Sequence, residues 1–171
     1  MSALQVGVDP AWLAAARRDI GLAEIPGVAT QPRIRRMLIA VGAAWRDDET
    51  PWCGTAMGAW MLEAGQQPPV APWRALNWAT WGRPVTTMVV GSVAVFRRGP
   101  GLGHVAIAVG RTGDGRILCI GANQRDRVSV APFNPYRLES VRWPGDAIGL
   151  LGRAEPLPLL QFDGPSSTQE G

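Results

Sequence analysis

The chain contains no lysine: all 17 basic residues among its 171 are arginine. That absence removes Schiff-base chemistry, a lysine general base and the phosphate-gripping lysine of a P-loop, since each needs an amine. Histidine occurs once, as His104, and cysteine twice, as Cys53 and Cys119. Three such residues, so spaced, suit neither a Cys/His zinc site nor a disulfide framework, so no metal and no cofactor is expected. Long apolar runs are missing as well. The longest, Val85 to Phe96, is broken by Thr86, Thr87, Gly91 and Ser92 and is too short to insert in a membrane. The opening MSALQVGVDP has no basic region followed by an apolar core. The chain is therefore expected to be made in the cytoplasm without a signal peptide and to reach any outside target by another route. A net charge of +3 with scattered arginines reads as solvated surface rather than a nucleic-acid footprint. It is compatible with weak attraction to an anionic cell-wall polymer.

What remains is 46% hydrophobic and 18% charged, the balance of a globular protein large enough for a full core. One domain is expected over residues 1–152. Residues 153–171 form a Pro/Gly/Ser-rich tail, expected to be partly disordered. Helices come first. Asp9-Pro10 opens one that runs to about Ile20, with Asp9 as capping side chain and Trp12, Leu13, Ala16 and Ile20 on one side. A second starts near Gln31 with Ile34, Met37, Leu38 and Val41 inward. A third follows from Cys53, and a short one spans Pro72 to Trp81. After Gly91 the period changes to that of strands, at Gly91–Phe96, His104–Gly110, Arg116–Gly121, Arg127–Val130 and Leu138–Trp143. Tight glycine-rich turns join them, as in an antiparallel meander. Helices before strands make the fold α+β.

Cys53 begins the helix that matters most. Cys53, Ala56, Met57, Trp60, Met61 and Ala64 recur at spacings of three and four, which predicts an apolar stripe, and Gly65 ends it. Cys53 then sits in the first turn, where unpaired N–H groups and the helix dipole favour the thiolate, the reactive form. A small buried apolar cysteine is the commoner alternative, and mid-strand Cys119 is read that way.

His104 supplies the chemistry that would distinguish the two. The turn Thr112-Gly113-Asp114-Gly115 joins two strands. With Gly113-Asp114 central, His104 lies opposite Asn123; with Asp114-Gly115 central, it faces Arg125 and Asn123 is its diagonal neighbour. Either register puts His104 and Asn123 on one face, unless a bulge intervenes. A histidine base needs its second ring nitrogen oriented by an acceptor, which an asparagine carbonyl provides without charge. Asp126 has the wrong parity unless a bulge corrects it.

Other features are weighed against plainer readings. Eight tryptophans are many; Trp52, Trp73, Trp78 and Trp81 could line a groove, but core packing suits most of them, and only Trp52, next to Cys53, is taken as a substrate contact. Asp47, Asp48 and Glu49 could hold a substrate amine or form a solvated loop. Arg97 and Arg98 could meet substrate carboxylates or form a surface turn.

The ordered blocks PWCGTAMGAW, GHVAIAVG and GANQ resemble the papain-like peptidoglycan hydrolases grouped as NlpC/P60 and CHAP, and most closely a phage-associated branch with PWC, GHV and GNQ blocks. The likeness extends to GLAEIPG, DDETPWC and LESVRWP, from about Pro10 to Pro144. It implies N-terminal helices packed on a five- to six-stranded antiparallel sheet. It also implies Cys53 as nucleophile, His104 as general base and Asn123 as the residue orienting it, with Gln124 as the alternative third member. Trp52, Asp48, Glu49 and Gln124 are the expected substrate contacts. Many NlpC/P60 enzymes carry a tyrosine before the cysteine; here the one tyrosine is Tyr136, far downstream, and the Cys53 N–H is the expected oxyanion donor. The implied activity is hydrolysis of an amide in peptidoglycan stem peptides, such as the D-glutamate–diaminopimelate bond. Rival readings are an acyltransferase or N-acetylmuramoyl amidase, an inactive peptidoglycan-binding module, and an antibacterial amidase toxin held off by an immunity protein. The expected partners are peptidoglycan and a phage, phage-like particle or secretion machine that delivers the chain.

Overall fold

In a computed structural model the described residues, 8–164, form helices α1 (Ala11–Arg18), α2 (Pro32–Ala40) and α3 (Cys53–Glu63), followed by a 3₁₀ turn at Ala75–Thr80. The strands are β1 (Arg83–Pro84), β2 (Val93–Gly99), β3 (Leu102–Arg111), β4 (Ile117–Gly121), β5 (Ser129–Phe133) and β6 (Leu138–Trp143), and a short α4 (Ile148–Leu151) closes the series. The six strands make one antiparallel sheet in the order β1-β6-β2-β3-β4-β5. The expected α+β architecture of N-terminal helices on an antiparallel sheet is the one observed. From β5 at one edge the chain crosses back to β6, which pairs between β1 and β2.

Strand periodicity divides the core in two. Val93, Val95, Val105, Ile107, Leu118 and Ile120 face the helices and pack with Trp12, Leu13, Met37, Leu38, Met57 and Trp60. Ala94, Phe96, Ala106, Ala108, Cys119 and Phe133 form a smaller cluster on the other face. Both faces are covered, so strands β2 to β4 bury nearly every side chain. The tail contributes to this cover. Val90 N–H donates to Glu155 and Arg111 N–H to Pro158, while Leu157 packs on the smaller cluster. Tail residues up to 164 are described and pack on the domain in this way; residues 165–171 lie outside those described.

Three local differences have physical reasons. Asp9 does not cap α1: Pro10 takes the N-cap position, Asp9 pairs with Arg17 at 2.5 Å, and Ile20 is exposed. The α3 helix is not a one-stripe amphipath, because every residue from Cys53 to Met61 is buried. Gly54 and Gly58 make this possible: a Cβ on Gly54 would stand 2.3 Å from the Pro72 carbonyl, and one on Gly58 2.8 Å from Val41. The tryptophans follow the core reading, since Trp12, Trp52, Trp60, Trp78 and Trp143 are fully buried. Among the described residues no helix is long and apolar enough to cross a membrane, and no group of acidic, histidine and cysteine side chains could hold a metal ion.

Candidate active site

Cys53 is the first residue of α3, after Trp52 at the N-cap. Its thiol reaches the sheet at the backbone N–H of Val105 on β3. Strand geometry explains why that N–H is available. Ala108 donates to Ser92 and accepts from Gly91, so its backbone groups face β2. By the alternation of strand hydrogen bonds, Val105 points its N–H the other way, toward β4. But β4 ends at Gly121, after Ile120 has paired with Ile107. The sulfur takes the position that β4 leaves open.

His104 is the neighbouring residue on β3, wholly buried, with Phe96 as its partner on β2. Its Nε2 lies 3.0 Å from Gln124 Oε1. The Gln124 amide nitrogen donates to the Ser129 carbonyl at 2.8 Å and to Ser129 Oγ at 3.2 Å, so its oxygen is the end that meets His104. An amide oxygen only accepts, so Nε2 carries the proton and Nδ1 keeps a lone pair. Nδ1 is buried and has no hydrogen-bond partner.

Of the two amides expected beside His104, the structure places Gln124 on its ring nitrogen and not Asn123. The reason lies in the register. The ladder next to the turn pairs Arg111 with Ile117 and Gly110 with Leu118, then slips at Val109 so that Ala108 meets Cys119. Beyond the slip the register would bring His104 opposite Asn123. However, β4 has stopped, and Asn123, Arg125 and Asp126 all adopt left-handed φ values of 57°, 55° and 60°. These turns swing the chain away and present Gln124 inward. Gly121 leaves the space: a Cβ there would stand 2.3 Å from Gln124 Oε1.

The early GLAE stretch fixes this loop. Gly21 donates to Val128 and Glu24 to Asp126, and Val128 donates back to Leu22. The same segment is tied to the approach to Cys53. Trp52 Nε1 donates to Glu24 Oε1 at 2.6 Å, and Asp48 Oδ2 accepts from Gln31 at 2.8 Å and Ile25 at 3.2 Å. Two of the expected substrate contacts are buried. Trp52 and Asp48 are each 1% exposed, and through the Trp52 indole N–H and Asp48 Oδ2 they brace the approach to Cys53. Glu49 is exposed beside them. Glu24 titrates above its ordinary range, through burial and the neighbouring Asp126, Asp48 and Glu49 charges, against the indole bond from Trp52.

Burial also dominates the two reactive groups. Cys53 is 5% exposed, and desolvation raises its thiol above the ordinary value despite opposition from the Val105 N–H, Arg98 and the helix-start amides of Gly54 and Cys53. The dipole argument from sequence gives the right sign for those amides, but burial outweighs them. His104 is pushed down to about 4, by burial first and then by Arg98, against the Gln124 bond. At neutral pH the pair is a neutral thiol and a neutral imidazole. Arg98 acts on both, favouring thiolate and disfavouring imidazolium. It occupies the bulge of β2, where the register slips between Arg97 and Gly99. Its neighbour Arg97 is turned to Glu139 at 2.7 Å.

Two positioning features escape the sequence reading. Phe133 falls outside the strand assigned to Arg127–Val130, and its ring lies over His104. Ser129 has only its place in that strand to mark it. An acceptor-ready side chain flanked by residues prone to left-handed φ is the one signal that favours Gln124 over Asn123.

Residues 45–123, just under half of the chain, match the family model of the CHAP domain. CHAP domains belong to the papain-like NlpC/P60–CHAP amidase superfamily and are typically cysteine-dependent amidohydrolases. The match suggests a peptidoglycan amidase or peptidase. The matched stretch contains Cys53 and His104 and stops one residue before Gln124. No curated protein matches the chain.

Proposed function

We propose that this chain is a thiol hydrolase of peptidoglycan stem peptides, with Cys53 as nucleophile, His104 as general base and Gln124 as the residue that orients it. The supporting observation is the state of His104. One ring nitrogen is fixed by an amide oxygen, and the other is a buried lone pair without a partner, next in sequence to the N–H that meets the Cys53 thiol. The large majority of buried side-chain polar atoms are hydrogen-bonded, so a buried ring nitrogen left open calls for an explanation.

In the reaction, His104 Nδ1 takes the Cys53 proton as sulfur attacks the amide carbonyl carbon, and a C–S bond forms. The Cys53 N–H, which has no partner within the helix, is the oxyanion donor. The C–N bond then breaks, and the imidazolium returns its proton to the leaving amine. Water, deprotonated by His104, cleaves the thioester and restores the thiol. Because the resting pair is neutral, the proton moves during attack rather than before it. Arg98 supplies positive charge near the sulfur throughout. The amide is that of a stem peptide, such as D-glutamate–diaminopimelate, reached after delivery by a phage, phage-like particle or secretion machine.

The test is digestion of purified sacculi and soluble muropeptides by wild type and Cys53→Ala, read by mass spectrometry. New stem-peptide fragments from wild type alone support the reading, and their masses name the bond. Folded wild type that sediments with sacculi of several chemotypes but cuts none would replace it with a peptidoglycan-binding module.

A further inference from the structure

His104 has a second fixed neighbour besides Gln124. Its ring lies nearly parallel to that of Phe133, with centroids 5.2 Å apart and planes 14° from each other. Phe133 in turn stacks on Phe96, at 4.6 Å and 18°. Phe96 is the cross-strand partner of His104, and Phe133 is the last residue of β5, so two strands on opposite sides of β3 and β4 bring the rings together. All three side chains are buried. The hydrogen bond to Gln124 holds one edge of the imidazole, and the phenyl ring holds its face. Together they leave it neither free rotation nor free tilt.

A phenyl face is the negative side of the ring quadrupole and attracts a cation lying over it, more strongly when water is excluded. We infer that Phe133 is a positioning residue for the base. Its ring keeps the imidazole in one plane and stabilises the imidazolium that forms when the S–H bond of Cys53 breaks and an N–H bond forms at Nδ1. This rests on the reading of Cys53 and His104 as nucleophile and base. It assigns a part in the site to β5, which lies wholly beyond the stretch that matches the CHAP domain.

The groups around His104 define what its titration reports. Arg98 acts from β2, and the Cys53 thiol comes from α3 to the adjoining N–H. Cys119 of β4 belongs to the cluster on the Phe133 face, paired with Ala108. The loop after β4 presents the neutral Gln124 amide.

The experiment replaces Phe133 in the full chain with mono-, di- and trifluorinated phenylalanine, which weaken the quadrupole stepwise while changing ring volume little. The readout is the pH dependence of Cys53 alkylation by iodoacetamide, located by peptide mass spectrometry, with His104→Ala as reference. Alkylation needs the thiol proton drawn off by neutral imidazole, so its acid midpoint reports His104. The midpoint is expected to fall along the series, by about half to one pH unit at the trifluorinated ring. An acid midpoint that depends on His104 but does not move with fluorination overturns the role of Phe133 alone. A wild-type midpoint unchanged by His104→Ala overturns both this inference and the Cys53–His104 pairing beneath it.

Discussion

Gln124 Oε1 accepts from His104 Nε2 at 3.0 Å, and it does so from a residue that strand register alone would pass over. The same amide is anchored from behind by Ser129. Losing it should release the imidazole without unfolding the chain. Gln124→Ala is expected to lower kcat about 10- to 100-fold, a part of the roughly 100- to 10,000-fold that general acid–base catalysis supplies. Asn123→Ala should stay within about twofold of wild type, as expected of a residue outside the proton-transfer network. Steady-state kinetics on the muropeptide cut by wild type would show the reverse order if Asn123 were the orienting residue.

Gly121 should behave as part of the same unit. A methyl group at this position meets Gln124 Oε1 at 2.3 Å and Ala106 Cβ at 3.0 Å, so Gly121→Ala displaces the amide from His104. Its effect on kcat is expected to approach that of Gln124→Ala. The double variant should be scarcely worse than either single one, because both remove one interaction. Full additivity in the double-mutant cycle would separate the two residues.

Arg98 sets where the pair titrates. Its charge lowers both the His104 imidazole and the Cys53 thiol. Arg98→Met is therefore expected to move the acid limb of the kcat/KM profile upward from about 4, toward the ordinary histidine range, and to move thiol ionisation higher still. A pH–rate profile for the two proteins checks both directions together. Unmoved limbs would leave Arg98 no electrostatic part in the site.

The buried base also makes the fold sensitive to acid. Unfolded, a histidine titrates near about 6.5; folded, His104 does so at about 4. Between these values the unfolded chain binds more protons, so acid draws the equilibrium toward it. The stability associated with a neutral His104 is complete above the unfolded value and is lost as pH falls toward the folded one. The loss is on the order of 3 kcal/mol. Urea unfolding from pH 7 to pH 4, at roughly half-unit steps, should give a steeper fall for wild type than for His104→Gln. Parallel slopes would mean that the imidazole is not held neutral.

Asp48 offers a test of strut against substrate contact. Its carboxylate satisfies the N–H groups of Ile25 and Gln31, and an unmet buried donor costs about 1–3 kcal/mol. Asp48→Ala should destabilise by about 2–4 kcal/mol, seen as a melting temperature lower by roughly 5–15 °C. KM is expected to hold steady. A raised KM with unchanged melting would return Asp48 to the substrate.

The sequence made much of this arrangement legible, and the gaps have definite causes. Cys53 at a helix start and His104 in the strand after a glycine-rich turn are legible because periodicity and turn residues mark elements, although that strand begins earlier, at Leu102. The α+β order was visible for the same reason. The pairing of His104 with an amide was foreseen, but not which amide. One slip at Val109 and three left-handed residues after Gly121 decide that, and neither leaves a pattern in composition. The burial of Trp52 and Asp48 is not legible, because neither adjacency to Cys53 nor an acidic loop composition tells whether a side chain points inward. The effect of burial on the thiol was missed because the glycines that let α3 sink into the core, Gly54 and Gly58, read as neutral positions in a helix. Phe133 is out of reach because the strand expected at Arg127–Val130 ends three residues short of it.

On the proposed mechanism, Cys53 forms a bond to the acyl part of a stem peptide. Intact-protein mass spectrometry of wild type mixed with muropeptides and quenched in acid tests this directly. The expected result is a transient adduct equal in mass to the acyl fragment, mapped to Cys53, absent from Cys53→Ala and longer-lived in Gln124→Ala. Cleavage of the same muropeptide by Cys53→Ala at the wild-type rate, with no adduct on either protein, would contradict it.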